Sequence, residues 1–310
     1  MNDVVDVILP VFGLMALGYG AGWLGILSRD AGVGLSDFVF TFCIPPLIFR
    51  TMAVAALPET QPWGYWLAYF LAAAIVWAFA MLIARRFGSG HGESVIAGFC
   101  ASQSNTVLVG IPLLLKAYGD AGAVPLFLLL AIHLPIMVAV ATVLIEDPAR
   151  MDWPLLGRRL LLNPILLSIF IVLLWRSMGW GLGGVVKTIV DQLAGAAIPC
   201  ALIAMGLALR RYGLHSDLRL SLAISGLKLI VHPALVYVFA TRVFAMPPVW
   251  AGVAVLFAAM PSGVNSYLFA ERYKVGVGLS SGTIALSTGL SAFSTLFWLW
   301  MLGVGSAARL

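Results

Sequence analysis

The sequence has little charge. Only 10% of its 310 residues are Asp, Glu, Lys or Arg, whereas 62% are hydrophobic. A soluble domain carries about 25% charged residues, and no polar stretch here is longer than a loop. Apolar stretches long enough to cross about 30 Å of hydrocarbon recur along the whole chain. The shortage of charge therefore argues against a soluble domain and a nucleic-acid partner, and predicts an all-α polytopic membrane protein.

Residues for metal binding and catalysis are also scarce. The three cysteines, Cys43, Cys100 and Cys200, lie in apolar segments without CxxC or histidine spacing, so we expect no disulfide framework, no metal site and no cofactor. The four histidines are scattered, and neither HExxH nor GxSxG occurs. A membrane enzyme would need such groups clustered at one depth. The sequence thus indicates a protein that is not an enzyme.

The N-terminal residues "MNDVVDVILPVF" carry acids where a signal peptide has positive charge, so we interpret them as the start of the first span. Hydropathy then predicts ten transmembrane helices. We expect a first five-helix repeat at 1–144, a short connector at 145–159 and a second five-helix repeat at 160–310. The ten spans are predicted at residues 4–24, 32–52, 64–84, 94–117, 122–144, 160–178, 185–209, 218–243, 249–271 and 279–303.

The distribution of Lys and Arg predicts the orientation. The odd-numbered loops hold eleven of them and the even-numbered loops with the tails hold six. Cytoplasmic loops carry the excess of positive charge. We therefore expect the odd-numbered loops in the cytoplasm and both termini outside it, in a plasma membrane or bacterial inner membrane.

A weak internal repeat relates the two halves. Asp37 and Asp191 both stand eight residues before a proline and are 154 residues apart, and at the same offset Pro10 falls on Pro164. These coincidences at one spacing suggest a duplication. Because five spans is an odd number, the second copy enters the membrane from the opposite side. Inverted repeats of this kind are typical of secondary transporters.

Two predicted spans are interrupted at corresponding places. Span four contains "SQSNTVLVGIPLLLKAYG" (102–119), and span nine contains "AAMPSGVNSYLFAERY" (258–273). Proline removes a backbone donor, and unwound backbone at membrane depth is tolerated only where protein or a water-filled cavity satisfies it. The N-termini of half-helices attract anions. We therefore predict a binding site for a small organic anion, although simple proline kinks remain an alternative. The candidate substrate-binding residues are Gln103, Ser104, Asn105, Thr106, Gly110, Pro112, Pro261, Ser262, Asn265 and Ser266.

Several segments in order resemble the auxin efflux carrier family, which includes the plant PIN exporters and bacterial malonate and malate permeases. "SNTVLVGIPLLLKAYG" is similar to the family's fourth-helix motif, and "AAMPSGVNSYLFAERYKV" (258–275) to its ninth-helix motif. The segments "LLNPILLSIF" (161–170) and "GLKLIVHPALVYV" (226–238) resemble the start of the family's second half and its eighth helix. The resemblance covers nearly the whole chain.

This resemblance implies ten helices in two inverted five-helix repeats, with an architecture like that of bile-acid/sodium symporters and NhaA-like sodium/proton antiporters. Helices four and nine would cross at their prolines beside the substrate. Helices 1, 2, 6 and 7 would form a scaffold domain that supports a homodimer, and helices 3–5 and 8–10 a transport domain. Asn105 matches the motif best as a substrate ligand. Asn265 matches it less well, because the polar residues of the two halves do not align in register.

The chain departs from the plant members of the family in two ways. About 15 residues join helices five and six, where the plant members have a long loop, and span three lacks the acid–lysine pair that some of them place near the site. Five other residues are candidates for coupling or charge compensation. Lys228 lies deep in span eight, where an intramembrane charge indicates function, although its stem could instead reach an interface. The other four are His133, His232, Asp37 and Asp191, each of which also has a structural interpretation as a hydrogen-bonded histidine or a helix-dipole acid.

Together these features predict a secondary active transporter. It would carry a small organic anion, such as malonate, malate or an auxin-like acid, by elevator-type alternating access. The alternative is an anion channel or a substrate-sensing membrane protein of the same fold. The expected partners are the substrate and membrane lipid. The identity of the anion, the direction of transport and coupling to protons or sodium stay open at this stage.

Overall fold

The computed structural model describes residues 2–55, 62–146, 164–212 and 218–304, with four further residues at 154, 157, 158 and 162. The predicted connector 145–159 lies mostly outside the described residues, as does Asn163 of the motif that opens the second half. In the described ranges the chain is helical. Extended pairing is confined there to Ser104 and Ser262.

The helices follow the segments predicted from hydropathy over most of their described length. The first half contains α1 Asn2–Trp23, α2 Arg29–Phe38, α3 Ile44–Val54, α4 Trp63–Arg86, α5 His91–Ser102, α6 Ile111–Tyr118 and α7 Ala123–Ile145. The second half contains α8 Pro164–Ser177, α9 Gly184–Leu209, α10 Leu218–Gly226, α11 His232–Val238, α12 Pro248–Ala259, α13 Val264–Tyr273 and α14 Val277–Met301.

Seven helical stretches in the described residues are long and apolar enough to cross a membrane. Two further apolar helices, α8 and α12, are shorter. Unbroken apolar helices of this length satisfy their backbone groups internally, as hydrocarbon requires. The protein is therefore an integral membrane protein. The count of ten spans goes further than helix length and composition establish.

Wide turns precede three of the prolines. π turns at Val39–Cys43, Thr106–Gly110 and Leu227–Val231 come directly before Ile44-Pro45, Ile111-Pro112 and His232-Pro233. Proline cannot donate to the carbonyl one turn back and its ring collides with that carbonyl. A π turn has already replaced the regular ladder at that point. The chain thus passes these prolines without leaving the helical path.

The most extensive helix contacts form two groups. One joins α1, α2, α3, α8 and α9, and the other joins α4, α5, α7 and the helices from α10 to α14. Within the first group, α1 and α9 approach closely at small residues. A Cβ on Gly18 would lie 2.3 Å from the Ile203 carbonyl oxygen, and one on Gly206 would lie 2.1 Å from that of Met15. Small residues allow such close approach of backbones in membranes.

Two arginines tie the ends of this first group together. Arg176, at the end of α8, donates to the Met52 carbonyl at 2.7 Å and to the Ala55 carbonyl at 2.5 Å, next to the end of α3. Arg210, just after α9, donates to the Gly22 carbonyl near the end of α1. Each guanidinium thus donates to backbone carbonyls at a helix end, where the intrahelical donors run out.

Candidate functional site

Two interrupted helices cross each other in the buried interior. Helix α5 stops at Ser102, and the chain is extended at Gln103 and not helical again until Thr106. Helix α12 stops at Ala259, and the chain is extended at Met260 and Gly263 before α13 begins. The two extended segments run antiparallel, with Ser104 opposite Ser262. The helix of span four is therefore interrupted at the polar residues that begin "SQSNTVLVGIPLLLKAYG".

Two backbone hydrogen bonds join the breaks. The Asn105 amide donates to the Pro261 carbonyl at 2.8 Å, and the Gly263 amide donates to the Gln103 carbonyl at 3.2 Å. Each break thus provides hydrogen-bond partners for backbone groups of the other break. Irregular backbone at membrane depth needs such partners, because hydrocarbon offers none.

The break in span four lies earlier than its proline suggests. Gly110 has helical dihedral angles (φ −65°, ψ −51°), and Pro112 is in the first turn of α6. The Gly110 amide donates at 3.0 Å to the carbonyl of Asn105, five residues back. Neither residue borders the cavity described below. Pro261 thus lies in the non-helical segment of the crossing, whereas Pro112 lies inside a helix, because the π turn at 106–110 accommodates it there.

Side chains from two further helices satisfy the amides at the centre of the crossing. The Ser104 amide donates to His133 Nε2 at 3.3 Å, and the Ser262 amide donates to Ser287 Oγ at 3.0 Å. His133 lies in α7 and Ser287 in α14. Their numbers differ by 154, which is also the spacing of Asp37 and Asp191. The two accepting side chains thus share this spacing, whereas Ser104 and Ser262, whose amides they accept from, are 158 residues apart.

Lys228 lies behind the crossing, fully buried. Its Nζ donates to Ser104 Oγ at 2.6 Å and to the Ala258 carbonyl at 2.7 Å, and lies 3.2 Å from His232 Nδ1. None of the ion pairs found in the described ranges involves this lysine. A buried ammonium without a carboxylate is costly. Here the Ser104 hydroxyl and the Ala258 carbonyl accept from Nζ, and the C-terminal end of α12 contributes the negative end of its helix dipole.

Tyr69 of α4 completes this polar cluster. Its hydroxyl lies 3.4 Å from Ser104 Oγ, and its ring contacts the rings of His133 and His232. One ring nitrogen of each histidine is buried with no partner among the described residues, namely His133 Nδ1 and His232 Nε2. Lys228 and His133, from two separate predicted spans, therefore converge on the Ser104 hydroxyl and amide, and His232 lies next to Lys228 and Tyr69.

A cavity of about 510 Å³ opens on the other side of the crossing. Its walls come from α2 and the π turn after it, α7, α8, the end of α9 and α13, with Arg211 and Tyr212 at the start of the loop that follows α9. Of the predicted substrate-binding residues, Gln103, Ser104, Asn105, Thr106 and Asn265 border it, and so does Asp37. The first turns that follow both breaks, at Thr106–Leu108 and at Val264, also border this cavity.

Asn105 makes an unusual contact at the cavity. Its Nδ2 donates to Met205 Sδ of α9 at 3.1 Å, and the residue is 5% exposed. A thioether sulfur is a weak acceptor. The amide N–H is therefore available to a stronger acceptor that enters the cavity.

The remaining predicted residues lie outside the cavity lining. Pro261, Ser262 and Ser266 are buried within the crossing, where Ser266 Oγ donates to the Gly263 carbonyl at 2.7 Å. Asp191 forms an exposed ion pair with Lys187 and lies 4.0 Å from Arg50. The structure thus brings Asp37, and not Asp191, to the cavity.

The geometry agrees with comparisons to known proteins. The family model described as "Membrane transport protein" matches residues 3–299. The chain belongs to this family. A relative from Rhizobium meliloti (strain 1021) named "Putative malonate transporter" is 28% identical over 320 residues, which cover 99% of this chain and 98% of the relative.

Plant members of this transport family are also similar to the chain. Auxin efflux carrier component 8 of Arabidopsis thaliana is 22% identical over 96% of this chain and 97% of its own length. Component 2 from the same plant is 32% identical over 122 residues, which are 39% of this chain and 19% of that carrier. The predicted resemblance to auxin efflux carriers is confirmed.

Several residues around the site of this family member were not predicted from its sequence. They are Ser287, Met205, Tyr69 and Arg211. The position of Ser287 could have been found, because it lies 154 residues after His133. The other three carry no local signal that separates them from lipid-facing or loop residues.

Proposed function

We propose that the protein is a secondary transporter of a small organic anion, namely a carboxylate such as malonate. This proposal rests on the opposite helix-dipole charges found on the two sides of the crossing. The cavity borders the beginnings of both second half-helices, whereas Lys228 occupies the opposite side at the end of α12. The relative's name independently points to a dicarboxylate.

Helix dipoles make the two sides of the crossing different. The first turn of a helix has free N–H groups and a positive dipole end. Two such turns border the cavity, and of the described residues bordering it only Asp37 is acidic. The C-terminal end of α12 is negative, and the ammonium of Lys228 compensates it. An anion in the cavity would compensate the two positive helix starts, as Lys228 compensates the negative end of α12 behind the crossing.

Asn105 and Ser104 are the proposed ligands of the carboxylate. A carboxylate is a far better acceptor than the Met205 sulfur, so it would take the Asn105 amide hydrogen. Ser104 Oγ accepts from Lys228 and lies 3.4 Å from the Tyr69 hydroxyl, so a carboxylate would compete with Tyr69 for the serine hydrogen. Lys228 would therefore act on the substrate through this hydroxyl without touching it, as a positioning and charge-balancing residue.

The architecture proposed for this function is ten spans in two inverted repeats, which recurs among secondary transporters. The equivalent roles of His133 and Ser287 support it, and so do the arginine caps, in which α8 binds the end of α3 and the loop after α9 binds the end of α1. The group of α1–α3 with α8 and α9 would be the scaffold and homodimer interface. The other helices would move as the transport domain in an elevator cycle. With both termini outside, the cavity opens to the cytoplasm.

Uptake by purified protein in liposomes tests this function. We expect saturable uptake of radiolabelled malonate and exchange against internal unlabelled malonate, because alternating access carries substrate in either direction. Imposed sodium and proton gradients are varied separately to identify any coupling ion. Protein-free liposomes are the control. Ion currents without saturation would indicate a channel, and no flux of any mono- or dicarboxylate would contradict the proposal.

A further inference from the structure

We infer that Arg211 binds the second carboxylate of a dicarboxylate substrate at the mouth of the cavity. This inference rests on the proposed function and adds the feature that distinguishes dianions from monoanions. It assigns to a residue just beyond α9 the binding of a second negative charge, which the helix breaks cannot provide alone.

Arg211 is the one Lys or Arg among the described residues that border the cavity. Lys228 cannot serve, because it is fully buried, does not border the cavity and already has three polar neighbours. A doubly charged substrate held at the crossing by Asn105 therefore finds its other positive partner at Arg211. The guanidinium suits this role, since it binds a carboxylate through two parallel hydrogen bonds.

The path of α9 places Arg211 at a suitable level. Met205 of this helix contacts Asn105, and Arg211 follows six residues later, with its amide still bonded to the Ala208 carbonyl at 2.9 Å. At 1.5 Å per residue the two levels differ by about 9 Å along the helix axis. A long arginine side chain can turn back over part of this distance, and a short dicarboxylate can span the rest.

The surroundings of Arg211 leave its charge available. The side chain is exposed, and none of the three ion pairs found in the described parts of the chain includes it. The neighbouring Tyr212 ring packs edge-on against Tyr267, with centroids 5.2 Å apart, and both tyrosines border the cavity. This aromatic pair gives the cavity a defined wall beside the guanidinium.

Asp37 makes the inference more specific. It borders the same cavity and is the acidic residue among the described lining. Its carboxylate repels a second negative charge on the substrate, and Arg211 offsets that repulsion. Without Arg211, the acid would be the only charged side chain of the described lining, and a dianion would be disfavoured more strongly than a monoanion.

Binding of malonate and of its monomethyl ester to the purified full-length protein tests this role. Wild type is expected to prefer malonate. Arg211→Gln should weaken malonate binding at least tenfold and change binding of the ester less than twofold. Arg211→Lys should restore part of the loss, and Asp37→Asn should strengthen malonate binding. Arg242→Gln removes an equal charge from an exposed residue outside the cavity lining and should leave both affinities unchanged.

Three results would overturn the inference. They are equal affinity of wild type for malonate and its ester, unchanged malonate binding by Arg211→Gln, and equal weakening of both ligands by that substitution. In each case wild type still binds a carboxylate, so the proposed function survives. If wild type binds neither compound nor any other carboxylate, both the function and the inference fall together.

Discussion

Replacing Lys228 by methionine is expected to abolish anion transport while leaving the protein folded. The ammonium lies between Ser104 Oγ and the Ala258 carbonyl, behind the crossing. Without it, the Ser104 hydroxyl loses the donor that orients it, and the C-terminal end of α12 loses its compensating charge. We expect initial transport rates to fall at least about 100-fold, which corresponds to about 2.7 kcal/mol.

Stability should change much less than transport in this variant. Removing a buried cation that lacks an acidic partner relieves its desolvation cost, which offsets the hydrogen bonds that are lost. Methionine fills a similar volume and adapts to irregular space. Thermal unfolding in detergent and uptake in liposomes measure the two effects. Lys116→Met, at an exposed lysine, is the matched control, and wild-type flux in Lys228→Met would show that the buried charge has no part in transport.

The second large effect is expected for Gly263→Ala. A Cβ at this position would lie 1.9 Å from Gln103 Oε1 and 2.5 Å from Gln103 Cδ. Gln103 is only 1% exposed and has little room to withdraw. Overpacking of this kind costs about 1–3 kcal/mol of folding free energy. Here it would also push apart the two extended segments whose hydrogen bonds form the crossing. We expect a lower thermal midpoint and a more than tenfold loss of transport.

A second substitution identifies the cause of this effect. The backbone at Gly263 has φ −80° and ψ 149°, which alanine adopts without strain. The three atoms nearest to the added Cβ all belong to the Gln103 side chain. Gly263→Ala combined with Gln103→Ala should recover the thermal midpoint. Gly289→Ala, where a Cβ meets nothing within 4 Å, is the control. A double variant as unstable as Gly263→Ala would show that the crossing is not limited by this contact.

Most of the helices could be predicted from the sequence, because hydrocarbon allows few alternatives. Long apolar runs must be helical there, and the predicted limits of α4 and α9 differ from the observed ones by at most two residues. The position of the break in span four could not be predicted from Pro112. A proline in the sequence indicates a missing backbone N–H donor, but the π turn that accommodates it depends on the neighbouring helices.

The candidate site could also be predicted only in part, because some of its residues carry a local sequence signal and others depend on helix packing. Asn105 could be found because a run of polar residues in an apolar span needs partners, and the structure places it in the crossing and at the cavity. The convergence of Lys228 and His133 on Ser104 depends on how separate helices pack, which local patterns do not encode. Arg211 follows a predicted span end and looks like any other cytoplasmic cation until the path of α9 brings it to the cavity.

Equilibrium binding of radiolabelled malonate to purified wild type and Asn105→Ala tests most directly whether the anion binds at the crossing. Asn105 Nδ2 has only a sulfur acceptor in the structure, so its removal should cost the fold little and the carboxylate a charge-assisted hydrogen bond of about 1.5–3 kcal/mol. We expect at least tenfold weaker binding at an unchanged thermal midpoint. Unaltered malonate affinity in Asn105→Ala would contradict a substrate site at this crossing.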